Sequence, residues 1–326
     1  MSVRKIFILA LLGVFVLENA AAQTFNSKAS FWKNRRQTYF FGAGVSNFLG
    51  ELGGRDQIGT DFIYDLEFSQ TRPTLHAGYR YQVGDRVYLK GQFTFGFLAG
   101  NDALTEEIFR KNRNLHFRST FYELSLLTDV DVIRFGHKTR YNRVQAGPRH
   151  TSAIYLSAGL GISRFNPKGN FDGNWYALKP QGTEGQGQID GPEEYKLLSL
   201  VIPFGMGYRW DINEEWTIGA EIMHRLTFTD YIDDVSTVYF DNDIIRQNKG
   251  ELAAYFADPS LGYYLTDNGD RVPLNSTGTG QQRGDSADND AYFTFLFTGY
   301  YKLPYKRGFS RGKGRVVKRK KRRAVF

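Results

Sequence analysis

Eight segments of alternating apolar and polar residues, joined by connections that run alternately short and long, predict an all-β chain. The fold class is an eight-stranded antiparallel transmembrane up-and-down β-barrel with long outer loops. A third observation agrees. After residue 22 no segment holds the roughly 18 consecutive apolar residues that a membrane helix needs, yet 16% of the chain is aromatic and 35 residues are glycine.

The chain has 326 residues. Arg4 and Lys5 precede an apolar run over 6–17 and then Ala20-Ala21-Ala22. Positive charge, a short greasy core and small residues make up a secretory signal, so 1–22 is expected to be cleaved after Ala22. A periplasmic N-terminal segment, 23–37, would follow, then the barrel over 38–303 and a basic periplasmic tail over 304–326. There is no cysteine, which excludes disulfides, thiol chemistry and a cysteine-borne lipid anchor.

The net charge of +8 is unevenly placed. Residues 302–326 carry twelve Lys or Arg and no acid, while 23–301 sum to −5. A nucleic-acid protein would spread its basicity over the fold. Here it sits in one tail, and no nucleic-acid partner is expected.

The strands follow in order, each with side chains turned to opposite faces in turn. The first covers 38–46. In the second, Leu75, Ala77, Tyr79, Tyr81 and Val83 oppose His76, Gly78, Arg80 and Gln82. In the third, Leu89, Phe93, Phe95 and Phe97 oppose Lys90, Gln92 and Thr94. Tyr122, Leu124 and Leu126 oppose Glu123, Ser125 and Asp129 in the fourth. The fifth, 153–165, sets Ile154, Leu156, Ala158, Leu160 and Ile162 against small and polar residues. The sixth opposes Leu200, Ile202, Phe204, Met206, Tyr208 and Trp210 to Ser199, Gly205, Gly207 and Arg209. In the seventh, Trp216, Ile218, Ala220, Ile222, Leu226 and Phe228 oppose Thr217, Gly219, Glu221, Arg225 and Thr227. The eighth covers 291–302.

Tight turns are expected at Gly84-Asp85 and Asn213-Glu214, and long loops at 47–72, 100–116, 165–194 and 230–290. The link 133–150, with Arg134, His137, Lys138, Arg140, Arg143 and Arg149, is a longer connection on the short-turn side. Tyr39, Tyr81, Trp210, Trp216, Tyr300 and Tyr301 fall near strand ends, where interfacial aromatic belts lie. A soluble β-sandwich is the structural alternative; it would stack the greasy faces on each other.

An eight-stranded barrel is just wide enough inside for side chains to fill it. Inward-facing Arg80, Lys90, Arg209 and Arg225 are therefore expected to pair with Glu123, Asp129 and Glu221, because an unpaired buried charge is costly. Such a lumen is a plugged charge network rather than a pore.

Catalytic and metal signals are weak. His76, His116, His137, His150 and His224 do not stand at ligand spacing. His76 should face the lumen and His224 the lipid. Ser163, Thr227 or Thr229 could offer an oxygen nucleophile at the outer rim, the basis for an alternative reading as a lipid-modifying enzyme. No histidine base is placed beside them by the sequence. Acidic clusters at Asp230, Asp233 and Asp234, at Asp241 and Asp243, and at Asp285, Asp288 and Asp290 lack EF-hand spacing and are expected to be solvated. No metal, cofactor or catalytic residue is expected. The run Lys318, Arg319, Lys320, Lys321, Arg322 and Arg323, on the exported side, would meet acidic partners or anionic polymers by charge attraction.

Several segments stand in an order that resembles a known family. They are Gly44-Val45-Ser46-Asn47-Phe48-Leu49-Gly50-Glu51-Leu52, Arg113-Asn114-Leu115-His116-Phe117-Arg118-Ser119, Thr183-Glu184-Gly185-Gln186-Gly187 and Ile202-Pro203-Phe204-Gly205-Met206-Gly207. The most specific is Thr227-Phe228-Thr229-Asp230-Tyr231-Ile232-Asp233-Asp234-Val235-Ser236. Over roughly 38–300 the chain resembles the PorG-like outer-membrane barrels associated with the type IX secretion system. The resemblance implies a non-enzymatic scaffold or anchor in the outer membrane, contacting periplasmic secretion-ring proteins. It marks Glu184, Gly185, Asp230, Asp233 and Asp234 as family-motif loop residues. The basic tail is not part of the family pattern.

Overall fold

The computed structural model describes residues 36–50, 52, 68–105, 107–136, 151–266 and 268–303. The signal segment, most of the N-terminal segment, residues 137–150 of the link and the tail with Lys318 to Arg323 lie outside the described residues.

Among the described residues twelve strands form, in chain order: β1 (Gln37–Leu49), β2 (Arg72–Gln82), β3 (Val87–Asn101), β4 (His116–Gly136), β5 (Thr151–Arg164), β6 (Pro167–Phe171), β7 (Asn174–Ala177), β8 (Leu198–Asp211), β9 (Trp216–Thr227), β10 (Tyr263–Leu265), β11 (Arg271–Pro273) and β12 (Ala291–Lys302). Eight of them pair antiparallel around a closed ring, β1-β2-β3-β4-β5-β8-β9-β12, and β12 returns to β1. The fold is a closed eight-stranded antiparallel barrel, and a two-sheet sandwich is excluded by that closure. Every backbone edge of the ring is satisfied by a neighbour, which a wall facing hydrocarbon requires.

Alternation builds the two faces of the wall. Leu126, Leu160, Phe297 and Leu200 point outward at 64, 67, 62 and 62% exposure, while their chain neighbours Ser125, Thr298 and Val201 are buried inside. The outer surface is thus an apolar band, and the inner surface holds the polar set.

Both short turns lie at one end. Val83 and Gly84 donate to Val87 O, and Ile212 donates to Trp216 O at 3.0 Å. The barrel termini meet at the same rim, where Lys302 donates to Glu215 O and Leu303 to Gln37 O. The β1–β2, β3–β4, β5–β8 and β9–β12 connections leave from the opposite end, while the β4–β5 link leaves from the turn end.

The fourth strand is longer than the alternation predicts, running 21 residues to Gly136. A bulge between Asp131 and Ile133 shifts the register, so that Val132 and Ile133 are both exposed. The period-two pattern breaks there, which is why 133–136 reads as a link in sequence. Arg134 is a strand residue.

The described parts of the long loops fold over the barrel mouth. Above the mouth they carry α1 (Ile108–Arg113), α2 (Asn242–Lys249), α3 (Glu251–Ala257), the β6–β7 hairpin that extends β4, and the small β10–β11 ribbon. Asp241 caps α2 by accepting from Asp243 N and Ile244 N. A continuous apolar core, including Leu52, Leu98, Phe117, Phe121, Phe165, Ile232, Val235, Phe256 and Tyr292, joins these loops to the upper barrel. Burial of so many large side chains holds the cap on the mouth.

Candidate functional site

Inside the wall the seven inward charges stand on five strands: Arg80 on β2, Lys90 on β3, Glu123 and Asp129 on β4, Arg209 on β8, and Glu221 and Arg225 on β9. All seven are buried. Near the cap, Arg225 Nε donates to Glu123 Oε2 at 2.8 Å, and the Tyr292 hydroxyl donates to the same oxygen at 2.9 Å. Half-way down, Lys90 Nζ donates to Glu221 Oε2 at 2.9 Å and lies 3.7 Å from Asp129. Tyr155 donates a second hydrogen bond to Glu221, and His76 Nδ1 lies 3.6 Å from its other oxygen. Toward the turn end, Arg209 bridges Asp129 and Asp131, and Arg134 joins Asp131 to Asp85.

Opposite charges thus alternate along the lumen, each near a partner, as the low dielectric demands. Arg80 departs from the expected pairing. Among the described residues it has no carboxylate within 4 Å, and its guanidinium lies 4.6 Å from each of the Tyr88 and Tyr300 ring centres. Aromatic faces hold it by their quadrupoles. Tyr300 is therefore a lumen residue, 1% exposed, and not part of an interfacial belt. Its position near a strand end misled the sequence reading, because belt and lumen tyrosines differ only by parity. Tyr39, Trp210 and Trp216 are exposed on the outer wall. The bulge hides the end of the strand, so Asp131 carries no signal in the sequence and Arg134 reads as a link residue instead of a lumen one.

The cap holds a second polar cluster, built from the family-motif residues. Glu184 accepts from Ser236 N at 2.8 Å, Thr237 N at 3.1 Å, Thr237 Oγ1 at 2.7 Å and Arg283 Nη1 at 3.0 Å. Asp234 accepts from Thr183 Oγ1 at 2.6 Å and from the Tyr195 hydroxyl at 2.5 Å. Burial pushes its carboxyl up to about 6, while Arg283 and the two hydroxyl donors pull the other way. The Tyr195 hydroxyl is pushed well up by burial and by the adjacent Asp234. Asp233 accepts from Leu52 N and Val235 N, fastening the first long loop to the last.

Gly185 has φ +82°, and an added Cβ would lie 2.4 Å from the Phe240 ring. Asp230 is buried with Asp233 and Asp234. These acids, with Asp290, are not solvated as expected. Asp233 and Asp290 accept from loop N–H groups, as Asp290 Oδ2 does from Ile232 N at 2.8 Å, and Asp234 accepts from the two hydroxyls. Asp285 and Asp288 are exposed. Arg113 clamps Asp102 through two nitrogens and donates to Arg283 O at 2.6 Å, a link no motif announced.

The rim hydroxyls serve the fold. Thr227 Oγ1 donates to Asp290 O at 2.7 Å, Ser163 Oγ accepts from Tyr292, and Thr229 Oγ1 accepts from Tyr231 N. His76 contacts Thr298 in the lumen, and His116 contacts Asn170 in the β6–β7 hairpin. His224 lies half-buried on the outer face against Phe204. Among the described residues no cluster of three metal-ligating side chains occurs.

A family model for a domain of unknown function, DUF6089, matches residues 30–252. The chain belongs to the DUF6089 family. The matched span contains β1 to β9 and most of the first half of the last loop, and stops before β12, the strand that closes this DUF6089 barrel. No curated protein matches the sequence. Solved structures similar to it are small outer-membrane barrels. Neisserial surface protein A is 8% identical, with 82% of this chain and 96% of that chain covered and a TM-score of 0.36. The attachment invasion locus protein Ail of Yersinia pestis is 9% identical, with 83% and 99% covered and a TM-score of 0.33. OprG of Pseudomonas aeruginosa is 8% identical, with 83% and 98% covered and a TM-score of 0.30. The barrel assignment itself stands on the closed strand pairing of this chain.

Proposed function

We propose that this DUF6089 protein is an outer-membrane barrel that serves, without catalysis, as an anchor or scaffold of a type IX-like secretion apparatus. The observation that carries the reading is the filled lumen beneath a folded cap. A barrel whose interior is occupied by paired charges, and whose mouth is covered by a packed core, offers partners its two ends rather than a passage.

The apolar outer band suits outer-membrane lipid as the surrounding solvent. In that placement the short turns and both termini face the periplasm, and the long-loop cap faces outward. The basic tail begins at the turn-end rim, beyond Leu303, and so starts where ring proteins would approach. The motif segments that resemble the PorG-like family include the buried Glu184, Asp233 and Asp234 that shape the cap.

Affinity purification of the full-length protein from solubilised outer membranes tests the role. Recovery of periplasmic secretion-ring proteins is expected, weakened when residues 304–326 are removed. Recovery of none, with or without the tail, removes the scaffold reading.

A further inference from the structure

Just above the apolar band, one side of the outer wall carries a group of cations that the lumen and cap do not use. On β4, Tyr122, Leu124 and Leu126 face outward, and the same face continues upward to Arg118, which is exposed. Arg118 stands directly opposite Lys168 of β6, so both side chains share that face, with Cβ atoms about 5 Å apart. Arg164 ends the outward row of β5 above Ile162, opposite Tyr122 on one side and Leu198 of β8 on the other. Lys196 lies two residues before Leu198 and is exposed. Glu194, next along, pairs instead with Lys179 at 3.6 Å.

Aromatic rings complete the surface. The Arg118 guanidinium lies 5.2 Å from the Phe97 ring and 5.9 Å from Trp175, which is itself exposed. On the opposite wall, Val45 and Pro73 face each other near the upper ends of β1 and β2, and on β9, beside β8, Leu226 and Phe228 end the outward row. Among the described residues this group of cations lies on the β4–β8 side; Arg72, at the start of β2, turns its guanidinium back to Ser69 O, Thr71 O and Gln70 Oε1. The group sits where headgroups meet the acyl region, with an indole at the level such rings prefer.

The geometry points to a docking surface for the phosphorylated headgroup of an outer-leaflet glycolipid, held by Arg118, Arg164, Lys168 and Lys196, with its acyl chains against Tyr122, Ile162 and Leu198. Phosphate suits two guanidinium groups, which offer paired donors in one plane. Acyl chains suit the apolar wall directly below. The inference rests on the outward placement of the cap proposed above, and it is independent of any secretion partner.

Native mass spectrometry of the full-length protein in detergent, titrated with diphosphorylated lipid A, tests it. The wild type is expected to retain the lipid, and lipid A stripped of its phosphates should bind about tenfold more weakly. The variant R118Q/R164Q/K168Q/K196Q should lose at least about tenfold for the phosphorylated form and nothing for the stripped form. R118K/R164K should keep most of the binding. Should the fourfold variant not fold, judged by heat-dependent gel mobility, Arg118→Gln and Arg164→Gln singly carry the comparison at about threefold each. Equal binding by variant and wild type overturns the site. So does equal binding of phosphatidylglycerol, or displacement of lipid A by millimolar inorganic phosphate. Ring-protein recovery reads the opposite rim, so failure of either experiment leaves the other interpretable.

Discussion

Lys90 Nζ and Glu221 Oε2 are 2.9 Å apart in the middle of the lumen, and neither side chain is reached by solvent. Lys90 also lies beside Asp129, so it neutralises two carboxylates, one on the adjacent β4 and one across the barrel on β9. Replacing it with methionine leaves both without that cation. Lys90→Met is expected to destabilise the barrel by about 3–5 kcal/mol, and adding Glu221→Gln to recover a substantial part. Urea unfolding in micelles, followed by heat-dependent gel mobility, measures both. Equal midpoints for the single and double variants would show that the pair is not coupled.

The outer wall makes a contrasting prediction. Leu126 lies at the middle of β4 and points away from the barrel. Leu126→Arg should cost about 2–4 kcal/mol in a bilayer, because the charge meets hydrocarbon. Ile189, 90% exposed in the cap, should accept arginine with no measurable effect. Unfolding in lipid vesicles separates the two positions. A soluble protein would tolerate both.

In the cap, Gly185 holds a left-handed backbone directly over the Phe240 ring. Gly185→Ala brings a strained φ, about 1–2 kcal/mol, and a clash with the ring. The expected readout is faster protease cleavage within 182–196, with barrel gel mobility unchanged. Simultaneous loss of both would mean that cap and barrel unfold as one unit.

Asp234 gives the cap a pH dependence. Its carboxyl titrates at about 6 in the folded cap, above its ordinary value of 3.8. A raised folded pKa means that the folded state holds the proton more tightly. That stabilisation is complete below about pH 4, and it is lost as pH rises to about 6, by at most about 3 kcal/mol. Thr183, Tyr195, Arg283 and Glu184 are the groups that face it. Hydrogen exchange of cap amides should therefore quicken between these limits in the wild type, relative to Asp234→Asn. Parallel profiles for the two proteins would exclude Asp234 as the source.

Much of the barrel was legible because a strand writes its two faces into every second residue. The sequence bounds the eighth segment as β12 is bounded, and parity alone turns Arg225 and Glu123 inward. Parity failed where the backbone broke it. The bulge beyond Asp131 concealed the end of β4, and with it the contacts of Arg134. Nearness to a strand end suggests the belt for Tyr300, and the closed sheet instead turns its ring into the lumen.

The cap was not legible. Its core joins Leu52, Phe165, Ile232 and Phe256 from segments far apart in the chain, none of which shows a period. Glu184, Asp234 and Arg283 likewise meet only after two loops have folded together.

By itself, the sequence determined the number of barrel strands, their faces and most of the charges they turn inward, because alternation is a local property of an extended chain. Tertiary structure alone decided which charges touch, how the loops close over the mouth, and which wall gathers Arg118, Arg164, Lys168 and Lys196. Those outcomes depend on strand register and loop packing, where residues distant in sequence are brought within hydrogen-bond reach, and no local pattern encodes them.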